Sequence, residues 1–461
     1  MQSSQRPALL RARPLGRLRA LSLGLYLSLG AGLVMGCSAP PEPAESAAPA
    51  EEVMDAVAED YVRLVLGVGL HDEHFVDAYY GPEERRAEVQ AAAPSLDELQ
   101  EQAQQLRERL QDNPLPDEAE ELLQLRHRYL DRQLEAASGR LAMLQGEALS
   151  FDEESRVLYD AVSPPVSRDE LENQRQQLDS VLPGDGDLAS RLKEFRDGYI
   201  IPTDRLQAVF AAAIESCREQ TARYIPLPEG ESFTVEYVTD QPWSAYNWYQ
   251  GGRRSLIQVN TDLPIYIDRA LDLACHEGYP GHHVYNLLLE TRLVEERGWP
   301  EVAIYPLFSP QSLIAEGTAN YGIELAFPGE ERTRFEAEVL YPLAGLDPST
   351  AARYHEVMES LEGLRYAGNE AARGYLDGEL SADEAAQWLV RYALMDLERA
   401  QQRVRFFDRY RSYVINYNLG EDLVARHFDA LGARPDDPDT RWRLMTELLS
   451  TPRLPSDLVG R

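Results

Sequence analysis

The feature that most constrains this chain is the segment at residues 274–285, which reads ACHEGYPGHHVY. It holds three of the eight histidines in the sequence, and Glu277 directly follows the first of them, His276. A His-Glu pair is typical of the helix that opens a zinc hydrolase site, where the histidine ligates the metal and the glutamate takes a proton from water. Such a site needs a second histidine on the same side of the helix, so the segment predicts a helix of unusual shape.

A regular helix would present that second ligand one turn after His276, where this chain has Pro280. On a straight helix His282 would point about 240° away from His276, and His283 would lie roughly 10 Å along the axis. Pro280 lacks a backbone N–H and Gly281 is permissive, so we expect the helix to bulge or kink between the histidines. A two-residue insertion absorbed there would bring His282 to the place of the second ligand.

The string HEGYPGHH resembles the HExxPGHH signature of the bacterial domain of unknown function 885 family, which looks like a relative of the glutamate-zincin metallopeptidases. This resemblance favours His282 as the second ligand, while His283 is the alternative that the residues alone leave open. It also implies a downstream glutamate as third ligand, for which Glu316 in LIAEGTANYGIEL is the candidate. We therefore expect one Zn²⁺ per chain, held by His276, His282 and Glu316, with Glu277 as general base.

The same resemblance directs attention to a late segment, RYRSYVINY at residues 409–417. Helical zinc peptidases commonly place a tyrosine there, often with a nearby arginine, to stabilise an oxyanion or hold a substrate carboxylate. By that resemblance Tyr413 and Arg411 are the catalytic candidates, and Tyr417 is the reserve.

Strand-like segments precede the histidine motif. Residues 231–239 and 255–260 alternate in polarity and are rich in β-branched and aromatic residues, which predicts a small antiparallel sheet. Zinc peptidases pair the edge strand of such a sheet with the substrate backbone. The resemblance therefore makes residues 256–260 the expected edge strand, with Gln258 and Asn260 as substrate-binding residues. A purely structural hairpin is the alternative.

The rest of the chain is predominantly helical in pattern, with apolar residues at helical spacing over 54–70, 97–110 and 118–143. We predict a mainly α, two-lobed metallopeptidase-like fold, with an N-terminal helical lobe at 53–199 and a catalytic lobe at 200–461 that carries the sheet and the motif. Cys217 and Cys275 could form a disulfide in an exported protein, or could be two small buried residues.

The N-terminus predicts export and lipidation. Residues 1–36 have five arginines, no acidic residue and an apolar run ending in LVMG, which is typical of a secretory signal peptide. Cys37 follows as the predicted lipidation site, and residues 37–52 form a Pro/Ala/Glu-rich tether. The expected location is the bacterial cell envelope, periplasm-facing or at the outer membrane, with the lipid anchor as the only membrane contact.

The negative net charge of the chain disfavours nucleic acid as a partner. Loss of residues 1–36 would take the formal net charge from −33 to −38, and such a surface repels nucleic acid. The sequence therefore predicts a zinc peptidase acting on short peptides. The alternative is a catalytically inactive metal-binding or scaffold lipoprotein. A solute-binding lipoprotein is disfavoured because that class alternates strands and helices in two α/β lobes.

Overall fold

The computed structural model describes residues 50–241 and 243–459. The predicted signal peptide and Cys37 lie outside these residues, as does most of the tether. Residues 50–52, which we predicted to be the end of the tether, belong to the first helix. Among the described residues, no helix has both the length and the apolar character needed to cross a membrane.

Helices make up most of the described chain, which confirms the predicted mainly α class. The helices of the first half are α1 (Ala50–Val68), α2 (Glu83–Ala92), α3 (Leu96–Gln111), α4 (Glu121–Leu144), α5 (Phe151–Tyr159), α6 (Arg168–Val181), α7 (Leu188–Asp197) and α8 (Leu206–Ala222). The helices of the second half are α9 (Ile267–Leu273), α10 (His282–Leu289), α11 (Pro310–Ala326), α12 (Glu330–Phe335), α13 (Tyr341–Ala344), α14 (Ala351–Glu362), α15 (Ala367–Leu376), α16 (Ala382–Tyr392), α17 (Leu397–Tyr410), α18 (Ile415–Ala430), α19 (Pro438–Leu449) and α20 (Pro455–Leu458).

The main hydrophobic core contains residues from both predicted lobes, from Met54 on α1 to Leu458 on α20. A second, smaller core includes Leu171 on α6, Val357 on α14 and Leu394. Local signals explain where several helices start. Capping boxes at Ser95, Ser150 and Ser381 satisfy the first backbone N–H groups of α3, α5 and α16.

Two small sheets accompany the helices. Strands β1 (Val76–Tyr79) and β5 (Ile304–Pro306) pair antiparallel. The second sheet has the order β2 (Ser232–Val238), β4 (Arg254–Asn260), β3 (Ala245–Gly251), in which β3 is antiparallel and β2 parallel to β4. The predicted edge strand at residues 256–260 is therefore the central strand. The edge assignment was wrong because the link between the two predicted strands itself contains a strand, β3.

Helices α11 and α18 approach each other closely at two glycines. A Cβ atom on Gly317 would lie 2.5 Å from the carbonyl oxygen of Gly420, and one on Gly420 would lie 2.7 Å from the carbonyl oxygen of Leu313. These distances are shorter than van der Waals contact, so the crossing requires glycine on both helices. The contact holds Glu316, one residue before Gly317, against α18 and the segment that precedes it.

We predict that Gly420→Ala destabilises the protein by about 1–3 kcal/mol, because the added methyl group would push α11 and α18 apart. Denaturant unfolding of the soluble domain measures this directly. Gly368→Ala on α15 is the matched control, since a Cβ atom there meets nothing within 4 Å. Equal stabilities of Gly420→Ala and Gly368→Ala would contradict the proposed packing constraint.

Candidate metal centre

The motif segment is helical and distorted, as the sequence predicts. Helix α9 continues into a π-helical turn at Ala274–Gly278, and after an interruption at residues 279–281 α10 begins at His282. A Cβ atom on Gly281 would lie 1.8 Å from the carbonyl oxygen of His276, so only glycine allows the backbone to fold back this closely. The distortion returns His282 to the side of the helix that carries His276.

The distortion is also tied to a neighbouring helix. Cys217 on α8 and Cys275 in the π-helical turn form a disulfide, with their Cα atoms 5.6 Å apart. The sequence left this pairing open. The bond attaches the turn that carries His276 and Glu277 to α8.

Three ligand-type side chains converge at this point: His276, His282 and Glu316. The Nε2 atoms of the two histidines lie 3.1 Å apart, and Oε2 of Glu316 lies 3.3 Å from Nε2 of His276 and 3.9 Å from Nε2 of His282. Donor atoms bound tetrahedrally at about 2.0–2.2 Å from a metal ion lie roughly 3.3–3.6 Å from one another. The observed separations are close to that range.

The chemistry of the donors also fits a cation. Oε2 of Glu316 is buried and has no hydrogen-bond partner among the described residues. A buried carboxylate oxygen without a partner is costly, and two imidazole nitrogens facing it are the neutral ligands that first-row divalent metals prefer. The trio could therefore hold a metal ion.

Neighbouring groups orient the ligands. Asn320, one turn after Glu316, donates from Nδ2 to the carbonyl oxygen of Tyr417 at 2.9 Å, which turns its Oδ1 toward Nδ1 of His276, also at 2.9 Å. His276 can then donate from Nδ1 and keep a lone pair on Nε2. Tyr413 donates to Oε1 of Glu316 at 2.8 Å, which leaves Oε2 for a cation.

The imidazole of His283 points away from His276 and Glu316. Its Nδ1 lies 2.8 Å from Oγ of Ser255 on β4, and its Nε2 lies 3.1 Å from Oε2 of Glu231. His283 is fully buried and Ser255 is 3% exposed, so this arrangement cannot reach substrate. His283 connects α10 to the sheet, and the structure brings His282 rather than His283 to His276 and Glu316.

Two further carboxyl groups lie beside the trio. Burial raises the pKa of Glu277 to about 7, and the negative charge of Glu316 adds to the effect while His276 opposes it. Burial also raises the pKa of Asp77 to about 7, with contributions from Glu316 and Glu277. Sequence reasoning missed Asp77 because β1 reaches the centre only by pairing with β5, more than 200 residues later.

These groups line one cleft of about 1420 Å³. Strand β3, an edge strand of the three-stranded sheet, contributes to the lining, and Asn247 on β3 donates to the carbonyl oxygen of Glu277 at 2.6 Å. Aromatic side chains pack at tilted angles at the start of this strand and just before it, with ring centroids 5.7 Å apart for Trp243 and Tyr246 and 4.5 Å apart for Tyr246 and Trp248. The cleft thus combines the trio, Glu277 and a free strand edge.

Three predicted site residues lie outside the lining of the cleft. Gln258 and Asn260 belong to the central strand β4. Gln258 accepts a hydrogen bond from the indole N–H of Trp248, and Asn260 donates to two loop carbonyl groups. Arg411 donates to the buried carboxylate of Glu154 at 2.5 Å. The substrate-binding and catalytic roles of these three residues stay predictions, whereas Tyr413 and Tyr417 line the cleft.

Comparison with known proteins supports the fold. The sequence matches no protein-family model and no curated protein, so the resemblance to the domain of unknown function 885 family stays a prediction. A candidate lipoprotein from Colwellia psychrerythraea has a similar structure, with a TM-score of 0.51 and 13% identity over 81% of this chain and 71% of that one. At this identity the likeness shows a shared fold alone.

Two other solved structures are more distant. One is a candidate lipoprotein of unknown function from Shewanella oneidensis, with a TM-score of 0.45 and 13% identity over 82% of this chain and 78% of that one. The other is an M32 carboxypeptidase from Deinococcus radiodurans R1, with a TM-score of 0.37 and 14% identity over 88% of this chain and 93% of that one.

We predict that Glu231 makes stability depend on acid pH. Burial alone would raise its pKa, but hydrogen bonds from His283, Tyr279 and Arg218 lower it from the usual 4.5 to about 2. A carboxyl group with a depressed folded-state pKa stabilises the fold above pH 4.5, and this contribution is lost as the pH falls toward 2.

The test is the free energy of unfolding from pH 7 to pH 2. Glu231→Gln should be about 1–3 kcal/mol less stable at pH 7 and should lose less stability below pH 4.5 than the unmodified protein. Glu229→Gln is the matched control, because its exposed side chain lies two residues away. Parallel pH profiles for Glu231→Gln and Glu229→Gln would refute the assignment.

Proposed function

We propose that this protein is a zinc-dependent peptidase that hydrolyses short peptides. The observation that carries the proposal is the convergence of His276, His282 and the buried Glu316 beside Glu277, in a cleft that an edge strand also lines. Two histidines and a glutamate form a known catalytic zinc set, and a raised pKa suits a group that both accepts and donates a proton.

The residues of the chain suggest the following division of roles. A bound Zn²⁺ would supply Lewis acidity that acidifies water and polarises a carbonyl group. Glu277 accepts a proton from the attacking water and later donates it to the leaving amine. The free backbone groups of β3 pair with an extended peptide, which holds the scissile bond in place.

Tyrosine side chains complete the site. Tyr413 holds Glu316 through its hydroxyl group, so its first role is to orient a ligand. The predicted role of Tyr413 in stabilising an oxyanion stays a prediction. Tyr417 also lines the cleft, next to Tyr413, with ring centroids 5.7 Å apart, and it is the second candidate for that role.

The signal sequence and Cys37 support a place in the bacterial cell envelope. A lipid anchor followed by the tether would let the domain reach peptides near the membrane surface. A cleft of about 1420 Å³ suits short peptides better than folded proteins.

The first test is zinc content and peptide hydrolysis of the soluble domain and of Glu277→Gln. We expect one zinc per chain in both, and a loss of turnover of at least about 10²-fold in the variant, because only the proton acceptor is removed. Glu324→Gln is the control, since Glu324 lines the same cleft two turns after Glu316. Hydrolysis that survives Glu277→Gln would reject the assigned base, and zinc binding without any hydrolysis would favour the inactive lipoprotein.

The second test concerns the ligands. His282→Ala should lose zinc, because its imidazole faces His276 and Glu316. His283→Ala should keep zinc and lose stability, because its imidazole is buried between Ser255 and Glu231. Metal analysis with thermal unfolding separates the two effects, and zinc loss in His283→Ala alone would overturn the ligand assignment.

A further inference from the structure

Arg403 differs from three other arginines that line the cleft. It lies on α17 and lines the same cleft as the trio, yet none of the described residues forms an ion pair or a hydrogen bond with its guanidinium group. Its guanidinium carbon lies 4.4 Å from the ring centroid of Phe406 and 6.0 Å from that of Tyr417. Arg403 is therefore held by aromatic rings alone.

Three other arginines of the cleft have carboxylate partners. Arg269 lies 3.1 Å from Asp272, Arg332 lies 2.7 Å from the same carboxylate, and Arg365 lies 2.8 Å from Glu421. The chain has 78 acidic residues for 45 basic ones, so partners are plentiful. Arg409, which also lines the cleft, has no carboxylate partner among the described residues either, but it is exposed, whereas Arg403 is half-buried.

An unpaired charge in such a place is unfavourable to the free protein. Burial lowers the pKa of Arg403, and only the nearby Tyr417 opposes this effect. A guanidinium group withdrawn from water gains most when a carboxylate pairs with it through two parallel hydrogen bonds. The position thus favours a ligand that brings its own carboxylate.

The location relative to the trio fits a substrate group. Tyr417 packs against Tyr413, with ring centroids 5.7 Å apart, and Tyr413 donates to Glu316. Two aromatic rings therefore connect Arg403 to the metal centre along one wall of the cleft. A peptide that spans about 3.4 Å per residue would cover this distance with a few residues.

We propose that Arg403 binds a carboxylate of the peptide substrate and thereby sets which bond reaches the metal centre. This inference rests on the proposed peptidase function. The carboxylate belongs either to the C-terminus of the peptide, which would make the enzyme an exopeptidase, or to an acidic side chain.

The experiment measures peptide binding as well as hydrolysis, so that the role of Arg403 is tested even if the protein hydrolyses none of the peptides. Acetylated tetraalanine is titrated as the free acid and as the C-terminal amide into the zinc-loaded Glu277→Gln protein with and without Arg403→Gln. A second pair of amidated peptides differs only in an internal Glu or Gln. Kinetics on the active protein give KM and kcat for the same four peptides.

We expect Arg403 to favour the charged member of one pair by about 10- to 100-fold in affinity and KM, with little change in kcat. Arg403→Gln should abolish that preference, and Arg403→Lys should retain part of it. A preference for the free acid identifies the C-terminal carboxylate, and a preference for the internal Glu identifies a side chain.

Arg405→Gln is the matched control, because Arg405 is an exposed residue on the same helix that does not line the cleft. The preference should persist in this variant. Either of two results overturns the proposal: equal binding of both members of both pairs to the unmodified Arg403 protein, or a preference that survives Arg403→Gln. Circular dichroism and zinc content confirm that each variant is folded and loaded.

Discussion

The close backbone approach at Gly281 is the constraint on which the candidate site depends. A regular helix cannot place residues 276 and 282 on one side. In this chain a π-helical turn follows α9, and the backbone at Gly281 then packs against the carbonyl oxygen of His276, which brings His282 to the same side as His276. No side chain fits at Gly281 in this geometry. The disulfide from Cys275 to Cys217 and the buried contacts of His283 hold the distorted segment from either side.

A second close contact supplies the remaining groups. The crossing of α11 and α18 at Gly317 and Gly420 sets Glu316 beside Tyr413 and sets Asn320 beside the carbonyl oxygen of Tyr417. Residues of α11, of α18 and of the segment before α18 therefore all contribute to the candidate site. Because ligand and supporting groups come from rigid helices rather than loops, their positions are defined by packing.

The candidate site places several carboxyl groups close together, which is electrostatically unfavourable for the folded protein. Three carboxyl groups, from Asp77, Glu277 and Glu316, lie together in a chain with a formal net charge of −33. Burial and the negative charges of neighbouring carboxylates raise the pKa of Asp77 and of Glu277 to about 7. Arg403, which lines the same cleft, is a half-buried positive charge without a carboxylate partner among the described residues. A bound cation would offset the negative charge of the three carboxyl groups, and an anionic substrate would offset the positive charge of Arg403.

The sequence by itself determined the local features, which are the His-Glu pair, the distortion at Pro280 and Gly281, and the mainly helical class, whereas Glu316 was implied by the family resemblance. Each of these local features depends on residues close together in the chain or on helical spacing. Tertiary structure decided the rest. Strand order made β4 central and β3 the edge, and the pairing of β1 with β5 brought in Asp77. Arg411 donates to the distant Glu154 and lies outside the cleft lining, whereas Arg403 on the preceding helix lines the cleft. Such choices depend on contacts between residues far apart in the chain, which a local pattern does not encode.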